Sequence, residues 1–291
     1  MSQHVDFSPV IAGVMRWGIW GARLDTDAMA HMISSCVEMG VSSFDHADIY
    51  GDYTTEEEFG RAFKKSGIAR DKIQLITKCG IMRPCIQRPE YKVKHYNTSK
   101  EHITQSVHQS LKNLGTDYLD VLLIHRPSPL MHYEEIAAAF SRLAESGMVR
   151  AFGVSNFLPH QTDMLTAYFP LVTNQVELSL IYTAPLYDGT TESCQRNRMK
   201  ISAWSPLGGK TLFDGSRDDL MRKLTDYAES HGWTFAQMAL AFLRHHPAGI
   251  IPVIGTSREA GVREAVESLR IKMTDEQWFE ILRIVNGKDV P

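Results

Sequence analysis

Six residues able to hold or move protons fall in three short pieces of this chain. Asp45, His46, Asp48 and Tyr50 lie within Ser43-Phe44-Asp45-His46-Ala47-Asp48-Ile49-Tyr50-Gly51. Lys78 closes Ile73-Gln74-Leu75-Ile76-Thr77, and His125 closes Val121-Leu122-Leu123-Ile124. Each alone has an ordinary reading. Asp45 could cap a turn, Tyr50 could pack, Lys78 could be a solvated strand end, and His125 could be a satisfied core histidine. Together they offer chemistry. An acid and a lysine form an ion pair. A lysine beside a tyrosine hydroxyl stabilises the phenolate, which predicts a lowered Tyr50 pKa. Such a tyrosine can give or take a proton nearer neutral pH.

For these residues to meet, strand ends must converge. Val41 and Phe44 are strand-like between Gly40 and Gly51, and 73–78 is β-rich before Cys79-Gly80. The run 121–124 does not alternate, which suits a strand buried on both faces. Between these strands lie helical patterns. Met29, Met32, Ile33, Cys36 and Val37 form one apolar face over 27–39. Phe59, Ala62 and Phe63 mark a helix over 56–65, and Ile103, Val107, Leu111 and Leu114 mark another behind a capping box at Thr98–Glu101. Residues 81–97 read as a long polar loop, a length that often carries function.

Further helices over 133–146, 159–168, 258–268 and 275–286 alternate with strands over 151–155, 171–177, 201–204 and 250–254. Thr234 with Gln237 and Thr274 with Gln277 fit capping boxes. From a first strand near Val10–Val14 the alternation repeats about eight times, in units close to the ~31 residues of an eightfold barrel. This predicts a single α/β domain over 1–291, a (β/α)8 TIM barrel with Asp45, Lys78, His125 and Tyr50 at the rim where its catalytic groups lie. No G-x-G-x-x-G follows the first strand, which weighs against a dinucleotide-binding doubly wound sheet.

Composition narrows the class. The net charge of −3 argues against nucleic acid or an anionic membrane as partner. No apolar window is long enough to span a bilayer, and Met1 to Asp6 has no signal-peptide character. A cytoplasmic protein is expected. Cys36, Cys79, Cys85 and Cys194 are scattered without ligand spacing, so free thiols are expected and no metal site.

The rim residues lie in motifs that resemble those of the aldo-keto reductases, and most closely the bacterial members. Asp45-His46-Ala47-Asp48-Ile49-Tyr50-Gly51, Ile76-Thr77-Lys78 and Leu123-Ile124-His125-Arg126-Pro127 are followed in family order by three more. These are Gly153-Val154-Ser155-Asn156-Phe157, Asn174-Gln175-Val176-Glu177 and Trp204-Ser205-Pro206-Leu207-Gly208-Gly209. The resemblance implies NADPH-dependent reduction of an aldehyde or ketone. Tyr50 would be the general acid, Lys78 paired with Asp45 would tune it, and His125 would orient the carbonyl. The resemblance further implies that Ser155, Asn156 and Gln175 contact the nicotinamide carboxamide and that Trp204 stacks on the ring. Ser205, Pro206, Leu207, Gly208, Gly209 and Lys210 would follow the pyrophosphate. Gly255, Thr256, Ser257, Arg258 and Arg263 would surround the adenosine 2′-phosphate. Gly261 and Ala265 stand where the family often has arginine and asparagine. Trp17, Trp20, His46 and Tyr53 are expected to wall a substrate pocket, with the 81–97 loop over it.

Three rival readings make different demands. A Schiff-base aldolase would use Lys78 as nucleophile and no nicotinamide. A metal hydrolase would need more strand-end histidines than His46 and His125. A non-catalytic NADPH-binding sensor or partner subunit would bind nucleotide with little turnover.

Overall fold

The computed structural model describes residues 5–290. Eight parallel strands close into a barrel in the ring order β1-β10-β9-β8-β7-β6-β3-β2. They are β1 (Ile11–Gly13), β2 (Ser43–Asp45), β3 (Gln74–Cys79), β6 (Leu119–Ile124), β7 (Val149–Ser155), β8 (Thr173–Glu177), β9 (Lys200–Trp204) and β10 (Ile251–Ile254). The remaining strands, β4 (Ile81–Met82) and β5 (His95–Tyr96), form a small antiparallel hairpin. The expected 81–97 loop is therefore partly structured, tied at its base by Ile81 opposite Tyr96.

Helices α1 (Thr26–Glu38), α2 (Thr55–Ser66), α3 (Lys100–Leu114), α4 (Tyr133–Glu145) and α5 (Pro159–Thr166) occupy the first five connections of the barrel. After them come α6 (Thr190–Arg196), α7 (Asp218–Ser230), α8 (Phe235–His245), α9 (Glu259–Glu267) and α10 (Asp275–Asn286). Their starts follow local chemistry. Asp25 caps α1 by accepting from the Asp27 and Ala28 amides at 3.0 and 2.8 Å. The Thr234 and Thr274 capping boxes form at α8 and α10. At α3 the cap is Ser99 rather than Thr98, because the Ser99 hydroxyl accepts from the His102 amide while Thr98 is buried. No helix among the described residues is long and apolar enough to cross a membrane.

Apolar packing divides into two shells and a small cluster at the mouth. The larger lies between strands and helices. The smaller fills the barrel interior with Ile11, Ile76, Val121, Leu123, Ala151, Val172 and Val253, closed from below by Val5 and Phe7. Side chains alternate along a strand. Two residues beyond Ile76 stands Lys78, and two beyond Leu123 stands His125. The same step leads from Ser43 to Asp45, from Thr173 to Gln175 and from Ser202 to Trp204. An apolar plug thus carries a polar layer at the C-terminal mouth, where barrels of this kind place reactive groups.

Candidate active site

Lys78 is at the centre of that layer. It is 1% exposed, yet its ammonium has three acceptors. Nζ donates to Asp45 Oδ2 at 2.7 Å, to the His46 carbonyl at 2.7 Å and to Tyr50 Oη at 3.0 Å. Burial pushes the Lys78 pKa down, but Asp45 and Tyr50 outweigh it and the net direction is up. The ammonium is kept. Asp45 Oδ1 accepts from Gln175 Nε2 at 2.8 Å. Because β8 and β2 are four places apart in the ring, that bond crosses the barrel.

Tyr50 sits where the chain leaves β2 and turns toward α2; its amide donates to the Ala47 carbonyl at 3.1 Å. Its ring lies 6.0 Å from that of His125 and 6.2 Å from that of Trp20. The expected lowering of its pKa is not found. Burial raises it above the ordinary tyrosine value, and Lys78 offsets only part of the rise. The hydroxyl is therefore held protonated. His125 is shifted well below the ordinary histidine value, by burial first and then by Lys78, Arg126 and Lys94. Its ring is neutral and carries one N–H.

Four aromatic or imidazole residues were expected around a substrate pocket, and they separate into two pairs. Trp20 and Tyr53 flank Tyr50 and pack with Ala47, Ile49 and Ile81. Tyr53 Oη accepts from the Arg83 amide at 2.9 Å. Trp17 and His46 do not wall a pocket. Trp17 is 1% exposed, stacks on Phe59 at 6.3 Å and donates to the Thr256 carbonyl at 2.8 Å. His46 follows inward-facing Asp45, so alternation turns it outward. Its fully buried ring meets Phe59 edge-on at 4.3 Å, with neither nitrogen hydrogen-bonded. That burial lowers its pKa to about 3.

Across the mouth, Ser155 Oγ donates to the Gln175 carbonyl at 2.9 Å and accepts from Asn156 Nδ2 at 2.7 Å. These bonds hold Asn156 at φ 59°, in the left-handed region. Asn156 Oδ1 then accepts from Trp204 Nε1 at 3.0 Å. Beyond Trp204, positive φ recurs at Ser205, Gly208 and Gly209, and the Gly208 amide closes the turn on the Ser205 carbonyl at 2.9 Å; backbone of this kind can form anion-binding concavities. A side chain at Gly208 would also meet Leu212 Cδ1 at 2.5 Å. Pro206 is buried and Leu207 half-buried in this turn, and the Lys210 side chain lies outside the described residues.

The other candidate cofactor segment follows β10. A Cβ at Gly255 would meet nothing within 4 Å, leaving open space beside the backbone. Thr256 Oγ1 accepts from the Arg258 amide at 3.2 Å. Its side chain fills the space above Gly261, where a Cβ would lie 2.4 Å from Thr256 Oγ1. That contact explains why glycine stands there. Arg263 is already bonded to Glu259 at 2.6 Å, whereas Arg258 is exposed and makes no ion pair among the described residues. Ser257 is half-buried beside it. This donor set, an aromatic ring, a turn with positive φ at Ser205, Gly208 and Gly209, and a guanidinium without an ion pair among the described residues, has the chemistry to suit a phosphorylated dinucleotide.

Two parts of the site have no signal in local sequence. One is the Gln175–Asp45 bond, visible only once β8 and β2 face each other. The other is the acidic pocket behind β3, where Thr77, outward-facing beside Lys78, donates to Glu56 Oε1 at 2.7 Å. Burial and Glu56 push the nearby Asp48 carboxyl well above its ordinary value.

Known proteins resemble this chain in sequence and fold. The sequence profile of the Aldo/keto reductase family matches residues 9–286. The uncharacterized oxidoreductase YcsN of Bacillus subtilis (strain 168) is 44% identical over 100% of this chain and 98% of its own length. A 6-dehydroglucose reductase of Agrobacterium fabrum is 41% identical over 100% and 98%. The oxidoreductase YdhF of Escherichia coli (strain K12) is 40% identical over 99% and 97%. Among solved structures, the thermostable aldo-keto reductase Tm1743, crystallised with the inhibitor epalrestat, superposes with a TM-score of 0.80. It is 27% identical, with 95% of this chain and 94% of that one covered. By barrel and sequence alike, this chain is a member of the aldo/keto reductase family of oxidoreductases.

Proposed function

We propose that the protein reduces an aldehyde or ketone to an alcohol with NADPH, and that Tyr50 is the proton donor. The observation that carries this is the single ammonium of Lys78, within 2.7 Å of Asp45 Oδ2 and 3.0 Å of Tyr50 Oη. NADPH supplies the hydride when bound. Ser155, Asn156 and Gln175 would meet its carboxamide and Trp204 its ring. The 205–210 turn, with Ser205, Gly208, Gly209 and Lys210, would follow the pyrophosphate, and Arg258 with Arg263 would meet the 2′-phosphate beside Gly255, Thr256 and Ser257.

The protein's own part is charge and proton handling. Negative charge that develops on the carbonyl oxygen meets two aimed donors, the Tyr50 hydroxyl and the His125 N–H. The proton leaves Tyr50 Oη for that oxygen, and the phenolate left behind lies against the Lys78 ammonium. Asp45 keeps the ammonium charged, and Gln175 holds Asp45. Raised basicity of Tyr50 suits this direction, because the donor must enter the cycle protonated.

Tyr50→Phe tests the assignment. Its carbonyl-reduction rate should fall about 10²–10⁴-fold with NADPH binding retained. Near wild-type turnover would remove Tyr50 from the chemistry.

A further inference from the structure

Arg126 follows His125 directly, at the end of β6, yet its guanidinium lies over the Trp204 ring of β9 at 5.5 Å. Those strands are three places apart in the ring, with β7 and β8 between them. The side chain therefore reaches across part of the mouth, above the polar layer. It is half-buried and makes no hydrogen bond or ion pair among the described residues. Its N–H donors thus have no partner among the described residues, and its guanidinium rests against an aromatic ring. Its charge is felt at Tyr50, at Tyr96 on β5 and at Glu177 on β8, so it faces the site from above.

The other charges on the rim decide what that guanidinium can take. Arg83 is occupied by Asp52 at 2.9 Å, and Arg88 is stacked on Tyr53 at 4.6 Å. Lys94, on the loop between β4 and β5, is exposed and its charge reaches His125. Glu177 opposes them, but it forms no ion pair with Arg126 among the described residues, and burial raises its pKa. Arg126, Arg88 and Lys94, none of them in an ion pair among the described residues, outnumber that half-buried acid and leave the mouth positive. A guanidinium fork pairs with a carboxylate through two parallel hydrogen bonds, which a neutral group cannot match.

We propose that Arg126 is a specificity residue that selects carbonyl substrates bearing a carboxylate, with the carbonyl at Tyr50 and His125 and the carboxylate under the guanidinium. This rests on the reductase reading above and names its substrate class. The matched probes are 4-carboxybenzaldehyde and 4-nitrobenzaldehyde, assayed with NADPH on wild type, Arg126→Leu and Arg126→Lys. A charge-assisted bidentate contact predicts that the ratio of kcat/KM for the acid over the neutral aldehyde falls about 10- to 100-fold in Arg126→Leu. Arg126→Lys should retain part of the preference, and added salt should shrink it in wild type.

Binding is read separately by calorimetric titration of each protein with 4-(hydroxymethyl)benzoate, the product acid. Its affinity should weaken by a similar factor in Arg126→Leu. An unchanged ratio with unchanged product affinity would overturn the assignment while leaving the reductase reading standing, because the neutral aldehyde is still reduced. No reduction of either aldehyde by wild type would overturn the reductase reading itself, and with it this one.

Discussion

Replacing Asp45 with Asn keeps the size of the side chain and removes the counter-charge of a lysine that is 1% exposed. At the observed 2.7 Å contact, an effective dielectric of ~20 gives about 6 kcal/mol of attraction. The net loss should be smaller, about 3–5 kcal/mol, because the His46 carbonyl and Tyr50 Oη still accept from Nζ. Lys78 can also shed its proton, and that gives the variant a signature. In wild type the Lys78 pKa is raised, so its contribution is complete below the unfolded value of ~10.4 and is lost only as pH rises through the folded value. In Asp45→Asn burial remains without the anion, and the folded pKa drops below the unfolded one. The unfolded chain then binds more protons, so stability rises with pH by up to ~1.4 kcal/mol per unit. Urea unfolding followed by tryptophan fluorescence at about pH 6 to 9 measures both effects. The deficit of the variant should shrink as pH rises. A deficit under about 1 kcal/mol, or one that does not change with pH, would refute the buried ion pair as the support of Tyr50.

His46, with its pKa lowered to about 3, should give a dependence of the same sign as that variant and opposite to that of wild-type Lys78. Stability is intact above the unfolded value of ~6.5 and is lost as pH falls toward the folded value, by up to ~1.4 kcal/mol per unit. In His46→Leu the acid-side loss measured by urea unfolding should be reduced accordingly. Arg258→Ala should raise the Kd for NADPH at least tenfold more than that for NADH, since a guanidinium–phosphate contact is worth about 1.5–3 kcal/mol; equal losses would mean it does not read the 2′-phosphate. At the opposite end of the barrel, Arg70 bonds Thr116, Ile73, Tyr118 and Asp120 at 2.6 to 2.9 Å. Arg70→Lys loses that fork and should cost about 2–3 kcal/mol in urea with kcat unaltered, as expected of the face away from the chemistry.

Elements with strong periodicity were legible from residues alone, and so was the convergence of Asp45, Lys78 and His125 on one rim. What local pattern cannot supply is the direction a side chain takes once the ring closes. Trp17 and His46 read as rim residues by position, but one folds back into the outer core and the other alternates away from the mouth, both onto Phe59. The sign of the Tyr50 shift depended on burial from Trp20 and its neighbours, which a list of adjacent charges omits. Helix α7 lies outside the alternation read from the sequence, although Leu220, Met221, Leu224, Tyr227 and Ala228 fall on one helical face and pack on the outer core.

The Gln175–Asp45 bond works like a tie rod between opposite walls. Tyr50, on the loop after β2, is tied to that rod through Lys78, so the position of its hydroxyl follows the width of the barrel as well as its own loop. Trp20, Tyr53, Arg126 and the β4–β5 hairpin all belong to the loops of the mouth. The loops after β1 and β6 and the hairpin can therefore change without altering the Asp45–Lys78 pair, which is held on strands. By the same token a change at position 175, on the far wall, would detune the tyrosine without touching substrate.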